Sequence, residues 1–126
     1  MKIEHVALWT RDIERSRAFY ESYFAAKAKD KYINPAHEFE SYFLSFADGA
    51  RLEIMQMPDI VDKTDEQTIG WIHIAFCTGS KEAVDELTER LRADGYALVS
   101  EPRTTGDGYY ESVVLDPDGN RVEITV

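Results

Sequence analysis

Two histidines and two glutamates in this sequence have the types and spacing of a metal site. His5 lies in Ile-Glu-His-Val-Ala-Leu and Glu53 in Arg-Leu-Glu-Ile, while His73 lies in His-Ile-Ala-Phe and Glu123 in Arg-Val-Glu-Ile. Imidazole nitrogens and carboxylate oxygens are ordinary ligands of first-row divalent ions. A set of two each leaves two positions of an octahedron open, and nickel, zinc, cobalt, iron or manganese would accept it. Open positions are what a catalytic metal site needs and a structural one does not. A single strand histidine is more often a satisfied core or rim residue. Here, however, the pattern occurs twice.

His5-Val-Ala-Leu8 matches His73-Ile-Ala-Phe76 at a shift of 68 residues, and Asp48-Gly-Ala-Arg-Leu-Glu-Ile54 matches Asp118-Gly-Asn-Arg-Val-Glu-Ile124 at a shift of 70. Two matches in the same order, at nearly the same shift, argue for a duplicated module. Side chains alternate along a strand. His5 therefore shares a face with Ile3, Ala7 and Trp9, and Glu53 with Arg51 and Met55. His73 goes with Trp71, Ala75 and Cys77, and Glu123 with Arg121 and Thr125. The opposite faces carry Val6 and Leu8, Leu52 and Ile54, Ile72, Ile74 and Phe76, and Val122 and Ile124, and are expected to pack on helices. Ionisable groups on a half-buried face are costly unless paired or metal-bound. If a pseudo-twofold axis relates the modules, all four groups converge on one point.

The elements that position these residues read the same way in each half. Ile3–Trp9 predicts a strand, and Asp12 opens a helix with Phe19, Tyr20, Tyr23 and Phe24 on one core-facing side. Lys27–Ile33, Ser41–Phe46 and Arg51–Met57 predict strands, the last two joined by a turn at Asp48-Gly49. Trp71–Thr78 predicts the next strand. Ser80 caps a helix that buries Ala83, Val84, Leu87 and Leu91 and stops at Gly95. Tyr96–Ser100, Tyr110–Leu115 and Arg121–Val126 complete the second half, with a hairpin turn at Asp118-Gly119. The expected organisation is one α+β domain over 1–126, built of two βαβββ modules at 1–57 and 71–126 with a connector over 58–70. His37 falls in a loop and reads as surface. Cys77 reads as a small buried thiol.

Composition narrows the partners. The 126 residues hold 24 acidic against 14 basic side chains, a net charge of −10. Such a surface repels phosphate backbones and anionic lipid, which argues against nucleic-acid and membrane-surface partners. One cysteine excludes an internal disulfide framework and suits a reducing, cytoplasmic compartment. The N-terminus shows no signal-peptide pattern, and no apolar stretch is long enough to span a membrane.

The sequence resembles the vicinal oxygen chelate superfamily, which includes glyoxalase I, extradiol dioxygenases, fosfomycin-resistance proteins, methylmalonyl-CoA epimerase and bleomycin-binding proteins. The resemblance rests on His5 in its strand, Arg11-Asp-Ile-Glu-Arg-Ser-Arg-Ala-Phe-Tyr20, His73-Ile-Ala-Phe76, and Asp116-Pro-Asp-Gly-Asn-Arg-Val-Glu123. It implies a glyoxalase-like fold whose modules form an open, cup-shaped barrel around one divalent metal held by His5, Glu53, His73 and Glu123. It further implies a small-molecule substrate that chelates the metal through vicinal oxygens. An acidic residue at Glu53 resembles the glyoxalase I-like members, which are metal-dependent lyases acting through an enediolate. Glu123 is then the first choice for the catalytic base and Glu53 the second. Small members of this length are dimers, and in glyoxalase I-like ones the metal site is shared between chains.

Two positions depart from that pattern. Trp9 stands where glutathione-using glyoxalase I has an arginine, and Met57 where a polar asparagine is common. These two point away from the standard glutathione adduct, and together with Trp71, Tyr42 and Arg51 they are the expected substrate-binding residues. The competing readings are a drug-binding protein of the bleomycin-resistance type and a three-ligand dioxygenase or thiol transferase.

Overall fold

The computed structural model describes residues 1–62 and 69–126. It divides into two compact units, Met1–Lys63 and Thr64–Val126. The expected connector over 58–70 falls partly on 63–68, outside the described residues.

In the first unit, β1 (His5–Trp9) leads to α1 (Ile13–Phe24), then β2 (Lys27–Ala28), β3 (Tyr32–Asn34), β4 (Phe39–Ser45) and β5 (Arg51–Gln56). The strands form one sheet in the order β1-β5-β4-β2, with β3 also on β4. β1 pairs with β5 in parallel and the other pairings are antiparallel. The second unit repeats the plan with β6 (His73–Cys77), α2 (Lys81–Ala93), β7 (Leu98–Thr104), β8 (Tyr110–Leu115) and β9 (Arg121–Thr125). Its order is β6-β9-β8-β7, again with a parallel first and last strand. Two mixed sheets and two helices make the α+β, glyoxalase-like fold expected from the sequence.

The duplication extends to the hydrogen bonds that turn each first strand into its helix. Thr10 donates its N–H to the Met55 carbonyl and Thr78 donates to Thr125, both at 2.8 Å. Their hydroxyls bond the carbonyls of Asp12 and Ser80. Asp12 and Ser80 then cap the helices by accepting from the N–H groups of Arg15 and Ala83. These caps satisfy donors that the helix itself leaves open.

Each helix covers the apolar face of its own sheet. Phe19, Tyr20, Leu44, Leu52 and Ile54 are buried in the first unit, and Val84, Leu91, Val114, Val122 and Ile124 in the second. Tyr23 and Phe24 are half-buried and stack on Phe19. Thr88 and Ser112 bring hydroxyls into the second core, where they bond each other at 2.7 Å.

Four local expectations change. The strand expected over Lys27–Ile33 is split into β2 and β3, with Lys29–Lys31 between them. The strand expected to end at Ser100 runs on to Thr104 through register shifts. Pro102, which has no N–H to give, is tolerated there because β7 is an edge strand. Ile72, expected on the helix-facing side, precedes β6 and is half exposed. Cys77 is exposed rather than buried, because it lies on the face of β6 turned away from α2.

On the helix side of the first sheet, Lys31 bonds both Glu14 and Glu40. The Glu14 carboxyl is held below its usual range by the Lys31 hydrogen bond first, helped by the Tyr42 hydroxyl and Arg17. A carboxyl with a depressed folded pKa stabilises the fold above its unfolded value, and that contribution fades as pH falls through the folded one. Glu14→Gln is therefore expected to lower Tm at pH 7 and to lose less Tm than wild type between pH 7 and pH 3. Thermal denaturation across that range checks it.

Candidate metal centre

The parallel pairing of first and last strands places the candidate ligands. His5 is level with Arg51 and Ala7 with Glu53, so His5 and Glu53 are diagonal neighbours on one face. His73, Arg121, Ala75 and Glu123 repeat this arrangement. The alanine opposite each glutamate leaves room for its carboxylate to lean towards the histidine. His5 Nε2 lies 3.9 Å from Glu53 Oε2, and His73 Nε2 lies 3.4 Å from Glu123 Oε2. Adjacent ligands with bonds of about 2.1 Å stand roughly 3 Å apart, so small closures would bring each pair onto one ion. The glutamate side chains are only 16% and 13% exposed, although neither forms an ion pair with a lysine or arginine among the described residues. The structure thus brings the four predicted ligands together as two pairs, one in each unit. Among the described residues, no group of three or more His, Cys, Asp or Glu is gathered as for a metal. The donor set, its near-ligand spacing and the half-buried glutamates beside exposed histidines fit a divalent ion.

Two further residues join the pairs, and the sequence reading missed both. Glu4 accepts a hydrogen bond from His5 Nδ1 at 2.5 Å. This bond, followed by Arg51, holds the Glu4 carboxyl below its usual range. In the second unit Glu111 shares the Glu123 face, and Arg103 stands 3.4 Å from Glu111. Burial raises the Glu123 carboxyl above its usual range; His73 opposes this and Glu111 adds to it. Glu4 was legible as the immediate neighbour of His5. Glu111 required the register that sets it opposite Thr125 on the Glu123 face.

The expected substrate-binding residues divide. Trp9 is on the His5 face, edge-on to Phe39 at 6.2 Å. Met57 follows β5 and is exposed, and Trp71 precedes β6 and is 93% exposed. Arg51 shares the His5 face, but its guanidinium is bonded to Glu4 and lies 4.2 Å over the Phe43 ring. Tyr42 is a correction. It pairs with Ile54 across β4 and β5, so it lies on the helix side and donates its hydroxyl to Glu14. Phe43, opposite Glu53, occupies the metal-pair face instead and packs edge-on against His5 at 5.3 Å. His37 is exposed in a turn, as expected.

Burial first, and Glu111 with it, disfavours the ionised form of Glu123, so its charge at pH 7 costs stability. Glu123→Gln is expected to raise Tm of the metal-free protein at pH 7. It removes a charge that is both desolvated and set against Glu111. Scanning calorimetry after chelator treatment checks it.

The chain resembles one curated protein in sequence and two solved structures in fold. An uncharacterized protein of Bacillus subtilis, YqjT, is 30% identical over 97% of this chain and 96% of its own. A possible glyoxalase from Bacillus cereus is 25% identical, with a TM-score of 0.75 over 100% of this chain and 99% of that one. A maize glyoxalase I mutant, 21% identical, aligns with a TM-score of 0.81 over 98% of this chain, which spans 44% of the maize chain. Residues 2–124 match the family described as the Glyoxalase/Bleomycin resistance protein/Dioxygenase superfamily, and the chain belongs to it.

Proposed function

We propose that this protein is a metal-dependent lyase or isomerase of the glyoxalase I type, acting on a small substrate with vicinal oxygens. The observation that carries this reading is the repeated His–Glu pair. Two modules with different sequences keep the same two ligand types, at the same register, 3.9 and 3.4 Å apart on a half-buried face. His5, Glu53, His73 and Glu123 are the residues that would hold the ion. When bound, a divalent ion would supply a Lewis acid that offsets the charge left when a carbon-bound proton is removed beside the vicinal oxygens.

Glu123 is the residue assigned to take that proton and return it to the neighbouring carbon, with Glu53 the second candidate. Glu111 sets a second carboxyl on the Glu123 face and raises the proton affinity of that carboxylate. Trp9 and Phe43 line the first module's share of the site with apolar surface, and Trp71 adds an exposed aromatic to the second. Arg51 is engaged by Glu4. Arg121 forms no ion pair among the described residues and is the cation left to meet a substrate anion. With Trp9 and Met57 at the usual polar anchors, the substrate is not the standard glutathione adduct. The hemithioacetal of methylglyoxal and glutathione is expected to be turned over with kcat/KM below ~10⁴ M⁻¹s⁻¹. A steady-state assay with metal-reconstituted protein checks this, and a value above that range would contradict it.

Because each unit holds one pair, a four-ligand site joins a first module to a second, and we assign those two modules to different chains of a homodimer. The test is complementation. His5→Ala and His73→Ala variants, each tag-free, should fold and lose most of their metal. Refolded together, they should recover about a quarter of the wild-type metal, since half the dimers are mixed and each mixed dimer rebuilds one of its two sites. Normal metal content in the double variant would end the four-ligand reading. No recovery despite proven mixed dimers would place each site within one chain.

A further inference from the structure

The two histidines are built alike on β1 and β6 but are supported differently. His5 donates from Nδ1 to Glu4 Oε2 at 2.5 Å, which leaves Nε2 on the side facing Glu53. Glu4 is itself held: Arg51 Nε donates to its other oxygen at 2.8 Å, and Arg51 Nη2 bonds the same atom. The Arg51 N–H also donates to the Glu4 carbonyl at 3.0 Å, so backbone and side chain lock the two residues together. Phe43 closes the arrangement. Its ring carries the Arg51 guanidinium 4.2 Å from its centroid and meets the His5 ring edge-on. In the second module the position matching Glu4 is Ile72, which has no polar atom on its side chain. Among the described residues, His73 Nδ1 has no hydrogen-bond partner, and Arg121 is left without a carboxylate.

We propose that Glu4 is a positioning residue that fixes His5 in the Nδ1–H form with Nε2 turned towards Glu53, that Arg51 and Phe43 hold Glu4 and the ring in place, and that His73 has no such support. A carboxylate on the far nitrogen of a ligating histidine fixes its tautomer and orientation and makes it a better donor, and losing such a group costs 10–100-fold in metal affinity. The arginine of the repeated Arg-x-Glu motif thus has two fates. Arg51 is used to secure the first histidine, while Arg121 has no carboxylate partner among the described residues. The assignment of His5 as a ligand rests on the proposed function above; the tautomer and its control by Glu4 do not.

The experiment has two arms, run on full-length tag-free protein with Glu4→Ala, Glu4→Gln and Ile72→Ala. In the first, long-range ¹H–¹⁵N spectra of the metal-free protein at pH 8 read the imidazole tautomers. His5 of wild type should be Nδ1–H. Glu4→Ala should shift it mainly to Nε2–H, the form a free imidazole favours. Glu4→Gln, whose amide oxygen still accepts, should keep Nδ1–H, and Ile72→Ala should leave both histidines unchanged. In the second, titration with Co²⁺ followed by its d–d absorption should show affinity lowered ~10-fold or more by Glu4→Ala. Glu4→Gln should recover part of that loss and Ile72→Ala none of it. A His5 tautomer unaffected by Glu4→Ala would overturn the proposal, as would wild-type Co²⁺ affinity in that variant. If wild type itself binds no Co²⁺ while the tautomer depends on Glu4, the positioning role stands and the metal reading fails.

Discussion

The site depends on the parallel pairing of the first and last strand in each module. A parallel ladder sets residues of like parity side by side on one face. With His5 level with Arg51 and His73 level with Arg121, each glutamate falls one step along and across from its histidine. A slip of one residue in either ladder would send the glutamate to the helix side and place Leu52 or Val122 beside the histidine. The apolar residues that alternate with the ligands resist that slip. Leu52, Ile54, Val122 and Ile124 are all buried against the helices. Burying the even-numbered side chains of β5 and β9 is what turns Glu53 and Glu123 to the other face.

Duplication supplies the ligand pairs, and divergence between the copies supplies their differences. Both modules keep the threonine that ends the first strand, the helix cap that follows, and the Arg-x-Glu of the last strand. They differ around the ligands. The first module surrounds its pair with Glu4, Phe43 and an Arg51 bonded to Glu4; the second has Ile72, Val113 and an Arg121 without an ion pair among the described residues, with Glu111 on the Glu123 face. One histidine is braced and the other is not. One glutamate has an aromatic neighbour and the other an acidic one. A site built from such halves can assign different tasks to groups of the same type.

Much of this was legible in the sequence because strand parity and the repeat constrain each other. The faces of His5, Glu53, His73 and Glu123 follow from counting, and the helix caps at Asp12 and Ser80 follow from residue type. What sequence could not supply was register across antiparallel neighbours. Placing Tyr42 needs the offset of β4 against β5, which is set by the Phe46–Ala50 loop rather than by any pattern inside the strands. Tyr42 was expected at the site and lies on the helix side instead. Glu111 was missed for the same reason. The face of Cys77 was read correctly, with His73 and away from the helix; its burial was not, because nothing in the described residues covers that side of the edge strand β6. The break between β2 and β3 and the irregular β7 are likewise tertiary outcomes at sheet edges, where few partners enforce regularity.

The central claim is that two imidazoles and two carboxylates hold one divalent ion. X-ray absorption at the metal edge, on tag-free protein loaded with one equivalent of Ni²⁺ or Zn²⁺ and dialysed, reads that ligand set directly. The account predicts a first shell of nitrogen and oxygen only, near 2.1 Å, with outer-shell scattering from about two imidazoles per ion. Scattering from a single imidazole, a sulfur shell that brings Cys77 onto the metal, or an ion lost on dialysis would contradict it.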